Sequence, residues 1–390
     1  MKLKSKIVNL VAWTIQKIWS VTPAKENRAY VYGSPSSEGN SFVVARALLE
    51  RTNMKVTWVN PPSVALLSAY DLLGSGQLRT LESVWSLKSI GSYLTAKYIF
   101  TTTELYGMPT PPPNRVVVNL WHGDGIKGGK FFPNRTLKGP TSTFLVGATS
   151  LLRDSRASDA DVSPKSALLT GMPRADLFFE PTSDASLEKL GISSDKPFIL
   201  FMPTFRRAKT KKGKMAWSDI GDDYNTKQFE EIFSAANVSL LSNSGIDVIV
   251  KPHYLDFDNF KILGLRAISD DEISSAETTL YSLLARSRAL VTDYSSVWID
   301  YLHLDKPIAF YAPDEELFWK HRPKDANFSN LSLPGVEIAS DKVFLAFIED
   351  LLANRDAHQQ ARAEVRAALG LISHESNTEE LLRALSIIRS

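Results

Sequence analysis

Three short apolar runs, rich in β-branched residues, each stop at residues able to donate protons or hydrogen bonds. They are Val116-Val117-Val118-Asn119-Leu120 leading into Trp121-His122-Gly123-Asp124-Gly125, Val248-Ile249-Val250 leading into Lys251-Pro252-His253, and Leu290-Val291-Thr292 leading into Asp293-Tyr294-Ser295-Ser296. Open α/β sheets place their ligand crevice outside the carboxyl ends of such strands. These ends are spread over both halves of the chain, so they predict one cleft between two α/β domains.

The rest of the chain fits that frame. Strands are predicted at Ala29–Tyr32, Lys55–Val59, Tyr98–Thr101, Pro197–Met202 and Pro307–Tyr311, with helical stretches between them at Ser41–Glu50, Thr226–Ser242, Thr278–Ala285 and Ser296–Leu302. Leu168–Gly171 reads as a further strand end, and Leu177–Phe179 closes the first half. Alternation of this kind argues for parallel sheets covered on both faces. A length of 390 residues exceeds what one core usually supports. The Ser-, Asp- and Pro-rich stretch Glu180–Lys196 is the natural boundary. The expected organisation is an amphipathic helix at 1–20, domains at 21–180 and 190–340, and helices at 341–390, within Asp341–Ala353 and Asp356–Arg389.

Composition removes several chemistries. There is no cysteine, which excludes disulfides, thiolate metal sites and cysteine nucleophiles. A net charge of +2 is too small to imply nucleic-acid binding, and no RNA-binding module accompanies the basic residues. No run of about 18 apolar residues occurs, so no spanning helix is expected, and no secretory cleavage site follows the N-terminal apolar segment. That segment has Ile7, Val11, Ile15 and Ile18 on one helical face among Lys2, Lys4, Lys6 and Lys17. It suits a helix lying in a membrane interface with Trp13 and Trp19 near the headgroups, or a helix docked on the domain.

Candidate site residues cluster at the strand ends. Ser295, Ser296 and Asp293 fall where a helix begins. There they either cap it or present donors to an anion. His122 precedes the glycine-rich stretch Gly123–Lys130, where backbone can approach a ligand closely and Lys127 and Lys130 offer charge. A histidine held at a strand end can accept a proton near neutral pH. His253 is the second candidate, fixed by Pro252. From Arg206 to Lys214 six positive charges occur with no negative one. That stretch is either a solvated loop or a patch that holds phosphates or anionic headgroups. His303, His321, His358 and His374 lack comparable neighbours and read as surface residues. No carboxylate pair with metal-ligand spacing stands out.

Taken in order, Trp121-His122-Gly123 with Lys127, Gly171-Met172-Pro173-Arg174-Ala175-Asp176, Pro203-Thr204-Phe205-Arg206, His253, Thr292-Asp293-Tyr294-Ser295-Ser296 and Lys306-Pro307-Ile308 resemble the CDP-glycerol glycerophosphotransferases, the teichoic acid primases and polymerases of the TagB and TagF type. The likeness runs from about Val31 to Asp314. It implies a GT-B-like fold, two Rossmann-like domains facing a cleft with C-terminal helices packing back across it. It implies transfer of glycerol phosphate from CDP-glycerol to a hydroxyl of a lipid-linked saccharide or polymer, with release of CMP and no bound metal or cofactor. His122 and His253 then match the two essential histidines of the family, and Thr292, Asp293, Ser295 and Ser296 the motif holding the donor phosphates, with Gly123, Lys127 and Arg206 lining the substrate site. The resemblance also implies peripheral attachment at the cytoplasmic face of an anionic membrane. The chain departs from the family pattern at Asp124-Gly125-Ile126, at Pro252-His253-Tyr254 and at Glu38-Gly39-Asn40. CDP-ribitol or another CDP-alditol as donor, a GT-B glycosyltransferase using a nucleotide sugar, and a non-catalytic membrane-surface binding protein are the alternative readings.

Overall fold

The computed structural model describes residues 2–121, 123–128, 139–204, 229, 232–252, 265–321, 324–328 and 331–389. His122, His253 and the basic stretch Arg206–Lys214 lie outside the described residues, as do 226–228, 230 and 231 of the helix expected at Thr226–Ser242; the helix described there is Ala235–Ser244.

Two parallel sheets organise the chain. The first contains β1 (Lys25–Tyr32), β2 (Lys55–Val59), β3 (Leu78–Leu81), β4 (Ala96–Thr101), β5 (Val116–Asn119), β6 (Phe144–Val146) and β7 (Ala167–Leu168), in the order β3-β2-β1-β4-β5-β6-β7. The second contains β8 (Phe198–Met202), β9 (Asp247–Val250), β10 (Arg266–Ala267), β11 (Ala289–Thr292), β12 (Ile308–Phe310) and β13 (Val336–Glu337), in the order β10-β9-β8-β11-β12-β13. Each order runs outward from its first strand, then reverses. The reversal falls between β1 and β4 in one sheet and between β8 and β11 in the other, where the neighbours pair in parallel. Crevices at such switch points are the ligand sites of doubly wound sheets. All four residues of β11 and the first four of β8 are buried, as a sheet covered on both faces requires.

The two-domain α/β expectation therefore holds, with local differences. β3, β6, β10 and β13 escape the sequence reading because they are two to four residues long. The segment Leu177–Phe179 ends a 3-10 helix, Pro173–Phe179, and is not extended. The last helical region is two helices, Gln359–Leu369 and Asn377–Ala384. They part at Gly370, whose φ of +57° suits glycine and against which Ser150 leaves no room for a Cβ.

These helices tie the domains together. Phe344, Phe347, Ile348 and Leu351 of Asp341–Leu352 pack with Ile199, Phe201 and Val291 of the second sheet. The chain then returns to the first domain. There Asp176 accepts from Ser376 Oγ and the backbone N–H of Asn377, both at 2.8 Å, and from Thr378 N–H at 3.0 Å, so it caps the last helix.

The N-terminal helix α1 (Lys2–Val21) departs from the single-face reading. Trp19 is fully buried and stacks on Tyr93 at 4.7 Å, while Ala12 and Ile15 are also buried. Trp19 is thus a docking residue and does not reach a headgroup region. Ile7, Leu10, Trp13, Ile18 and Val21 remain exposed. Arg115, just before β5, donates to Thr22 O at 2.8 Å, Leu94 O at 2.6 Å and Ala96 O at 3.0 Å. It thereby caps α1 and the helix Leu87–Thr95 with one guanidinium.

Candidate active site between the two sheets

The β5 turn enters the cleft from the first domain. Trp121 has φ +46°, a left-handed conformation unusual for a bulky residue. It is held at both ends. Its N–H donates to Asn119 Oδ1 at 3.0 Å, and its carbonyl accepts from Asn40 Nδ2 at 3.1 Å. Asn40 lies in α2 (Gly39–Arg51), so the first helix after β1 sets the backbone on the N-terminal side of His122.

Asp124 anchors the other side. Its Oδ2 accepts from Thr149 N–H at 2.8 Å, Thr149 Oγ1 at 2.6 Å and Ala148 N–H at 3.2 Å. Burial pushes this carboxyl above its ordinary value, although those hydrogen bonds pull the other way. The glycine-rich loop then crosses to the second domain. Arg156 donates to Gly125 O, and Asp325 N–H donates to Ile126 O at 2.8 Å. Lys127 pairs by an antiparallel bridge with Lys324, and its ammonium lies 5.8 Å from the centre of the Phe318 ring.

The β11 turn meets it from the other domain. Thr292 and Asp293 are spent on the neighbouring strand end. Thr292 Oγ1 donates to Met202 O at 2.7 Å, and Asp293 Oδ1 accepts from Thr204 N–H at 2.9 Å and Thr204 Oγ1 at 2.6 Å. This seals the β8/β11 switch point around Met202-Pro203-Thr204. Tyr294 stacks on Phe318 at 3.9 Å and donates to Asp314 at 3.0 Å. Ser295 and Ser296 are only half-buried, and Ser296, at the N-cap of helix Val297–Tyr301, makes no side-chain cap hydrogen bond. Plain capping by Ser296 is therefore not what the structure contains. A Cβ added to Gly125 would stand 2.9 Å from Ser296 Cβ, so the β5 and β11 turns touch across the cleft.

The third strand end closes the floor. Lys251 is buried, donating to Asp270 Oδ2 at 3.1 Å and to Pro252 O at 3.2 Å. Asp270 Oδ1 accepts from Ser37 Oγ at 2.9 Å, so the turn after β1 faces the β9 end that leads to His253. All three strand ends named from the sequence thus lie where the two domains meet.

Several residues were not assigned a role from sequence. Arg174 donates to Asp300 Oδ2 at 2.5 Å, which also accepts from Tyr281 OH at 2.6 Å. Arg174 Nη1 is 3.7 Å from Glu38 Oε1, and its guanidinium carbon is 5.0 Å from the centre of the Tyr281 ring. Burial opposes the Arg174 charge, but Asp300, Tyr281 and Glu38 around it together more than compensate and hold the guanidinium above its ordinary range. Burial raises the Glu38 carboxyl despite the pull of Arg174. The signal for this cluster is the Arg-Ala-Asp after Pro173, charged residues in an otherwise apolar stretch. His303 is a correction, since it is half-buried with its Nε2 shut off from solvent, and desolvation depresses its pKa. Lys306 donates to Ala285 O and Ser287 O, capping the helix Leu280–Arg286.

Two Rossmann-type domains with strand ends meeting across one cleft define a GT-B-like architecture. The family model for CDP-glycerol:poly(glycerophosphate) glycerophosphotransferase matches residues 31–385, and the chain belongs to that family. The chain is 28% identical over 267 residues to the teichoic acid poly(glycerol phosphate) polymerase of Bacillus spizizenii, covering 64% of each protein. It is 24% identical to that organism's teichoic acid poly(ribitol-phosphate) polymerase, covering 62% of this chain and 40% of the relative. The matches therefore span less than two thirds of either relative. The wall teichoic acid polymerase TagF has the same fold, with a TM-score of 0.71 at 16% identity over 99% of this chain and 98% of the other.

Proposed function

We propose that this chain transfers glycerol phosphate from CDP-glycerol to a hydroxyl of a lipid-linked saccharide or polyol-phosphate polymer, releasing CMP, in the synthesis of a teichoic-acid-type or capsule-like surface polymer. The observation that carries this reading is the seating of the β5 turn against Ser296, in a chain matched by the family over residues 31–385. Uncommitted serine hydroxyls at a helix start are suited to phosphate oxygens.

In this reaction the acceptor oxygen bonds to the phosphorus that bears glycerol, the bond from that phosphorus to the CMP oxygen breaks, and the acceptor proton leaves. His122 is assigned as the base that takes the proton. His253, Arg206 and the Ser295/Ser296 turn stabilise charge on the diphosphate, since positioning and electrostatics dominate phosphoryl transfer. Gly123 leaves room for the Arg174 side chain next to the β5 turn, and Lys127 adds positive charge. Thr292 and Asp293 shape the phosphate site from beneath by fixing Thr204.

CDP-ribitol is the second donor to consider, because a ribitol-phosphate polymerase is among the relatives. Among the described residues no helix is long and apolar enough to cross a membrane. The exposed Ile7, Leu10 and Trp13 of α1 support peripheral attachment at the cytoplasmic membrane face, where a lipid-linked acceptor is met. The test is product analysis with purified protein, an acceptor and CDP-glycerol, CDP-ribitol or nucleotide sugars. CMP release from a CDP-alditol, abolished by His122→Ala and by His253→Ala without loss of folding, is expected. UDP or GDP release from a nucleotide sugar, or full activity of either variant, overturns the reading.

A further inference from the structure

We propose that Arg174 is a positioning residue that sets the β5 turn against the β11 turn and so aligns the two halves of the active site. For its effect on rate this rests on the transferase reading above; for its effect on geometry it does not.

One residue ties three elements together. Its backbone N–H donates to Asn40 Oδ1 at 3.0 Å, and Asn40 in turn holds the Trp121 carbonyl. Its guanidinium crosses to the second domain, donating to Asp300 four residues after Ser296 on the same helix. On the way it fills the space beside Gly123, where an added Cβ would lie 2.1 Å from Arg174 Nη2 and 3.7 Å from Asp300 Oδ2. Gly123, with φ +111°, is therefore small because the arginine passes there.

The surroundings make this contact rigid. Arg174, Asp300, Glu38 and Tyr281 are each less than a tenth exposed, so water neither screens nor replaces the interdomain bond. Tyr281 supplies a second donor to the same Asp300 oxygen and a ring face beneath the guanidinium. Asp300 thus cannot follow Arg174 freely if that side chain is lost. Arg174 touches no reacting atom in this scheme. It acts through the backbone on either side of His122 and through the helix that begins at Ser296.

The experiment compares the full-length wild-type protein with Arg174→Ala, Arg174→Lys and Asp300→Asn. Hydrogen exchange is followed at residues 123–128 and 297–301, donor binding by calorimetry, and CMP release by steady-state kinetics. Arg174→Ala is expected to speed exchange in both segments together and to lower kcat about 100-fold, the scale of a misplacement near 1 Å, with a smaller effect on donor affinity. Arg174→Lys restores only part of the rate, because an ammonium lacks the planar fork. If Arg174→Ala does not fold, Asp300→Asn carries the test, since it keeps an acceptor for Tyr281 and the same volume. A folded variant with unchanged exchange at both segments, or with wild-type kcat, overturns the proposal. A wild-type protein that releases no CMP from any CDP-alditol refutes the transferase reading instead, and the exchange measurement still judges the clasp.

Discussion

Replacing Ser295 and Ser296 together with alanine separates a ligand site from a helix cap. Ser296 occupies the N-cap of helix Val297–Tyr301 but makes no cap hydrogen bond, and both serines are half-buried. Loss of a working N-cap costs about 0.5–2 kcal/mol; here the change in stability is expected to stay within about 0.5 kcal/mol, as for substitutions that remove no buried contact. Binding behaves differently. A hydrogen bond to a charged phosphate contributes about 1.5–3 kcal/mol. Half-buried positions admit water as a substitute donor, so two lost hydroxyls are discounted to roughly 2–3 kcal/mol, or about 30- to 150-fold in Kd. Calorimetric titration with CDP-glycerol, run beside urea melts of the same preparations, reads both quantities. A stability loss of about 1–2 kcal/mol with Kd unchanged would refute the reasoning and restore capping as the role of this turn.

Asp293→Ala removes the acceptor for two Thr204 donors in a buried setting and should destabilise by about 2–3 kcal/mol; a double-mutant cycle with Thr204→Ala should then be strongly non-additive in urea melts. Leu10→Ser with Trp13→Ser alters only exposed side chains of α1, so melting should be unchanged while sedimentation with anionic liposomes falls, most clearly at high salt where electrostatic contact is screened. Burial holds the Glu38 carboxyl above the ordinary glutamate value, so the folded chain keeps a proton that the unfolded chain releases. Its stabilising share is full below the ordinary value and is lost as pH rises through the folded one. Glu38→Gln, which cannot ionise, should therefore gain stability relative to wild type as pH rises, and parallel pH profiles from urea melts would contradict this.

The strands that carry the site were legible because they are buried on both faces and end at polar residues. β5, β9 and β11 each combine a run of Val, Ile or Leu with a functional terminus, a pattern that needs no tertiary information. The edge strands were not legible. β3 reads Leu-Arg-Thr-Leu with its two central residues exposed, and β10 and β13 are two residues each, too short to show any period. The break at Gly370 was missed although its signals are local, a glycine directly after Leu369 and Ser376 as an N-cap three residues before Glu379. Ser150, distant in sequence, fixes that turn. Within the site, the sequence named residues by their place beside strands but could not say which side chains were already spent. Asp293 and Ser296 look equivalent in Asp-Tyr-Ser-Ser, yet Thr204 occupies the first and nothing caps through the second. Arg174 and Asp300 are 126 residues apart, so their pairing could be seen only in the fold.

The two apolar sides of α1 bear on how an acceptor is presented. A helix of 20 residues is about 30 Å long and needs one buried face to stay docked. Trp19, Ile15 and Ala12 supply that face against Tyr93 and its neighbours. Ile7, Leu10, Trp13, Ile18 and Val21 keep much of their apolar surface exposed, so that surface is available to a second apolar partner. Arg115 makes the docking consequential. It joins the end of α1 to the residue that starts β5, and the other end of β5 is the Trp121 turn held by Asn40. Four residues of strand span roughly 13 Å. A membrane engaged by the outer side of α1 would thus be fixed in orientation relative to the cleft through one short, buried strand. In that arrangement the depth at which a lipid-linked acceptor is presented follows from the docking of α1 as well as from the shape of the cleft.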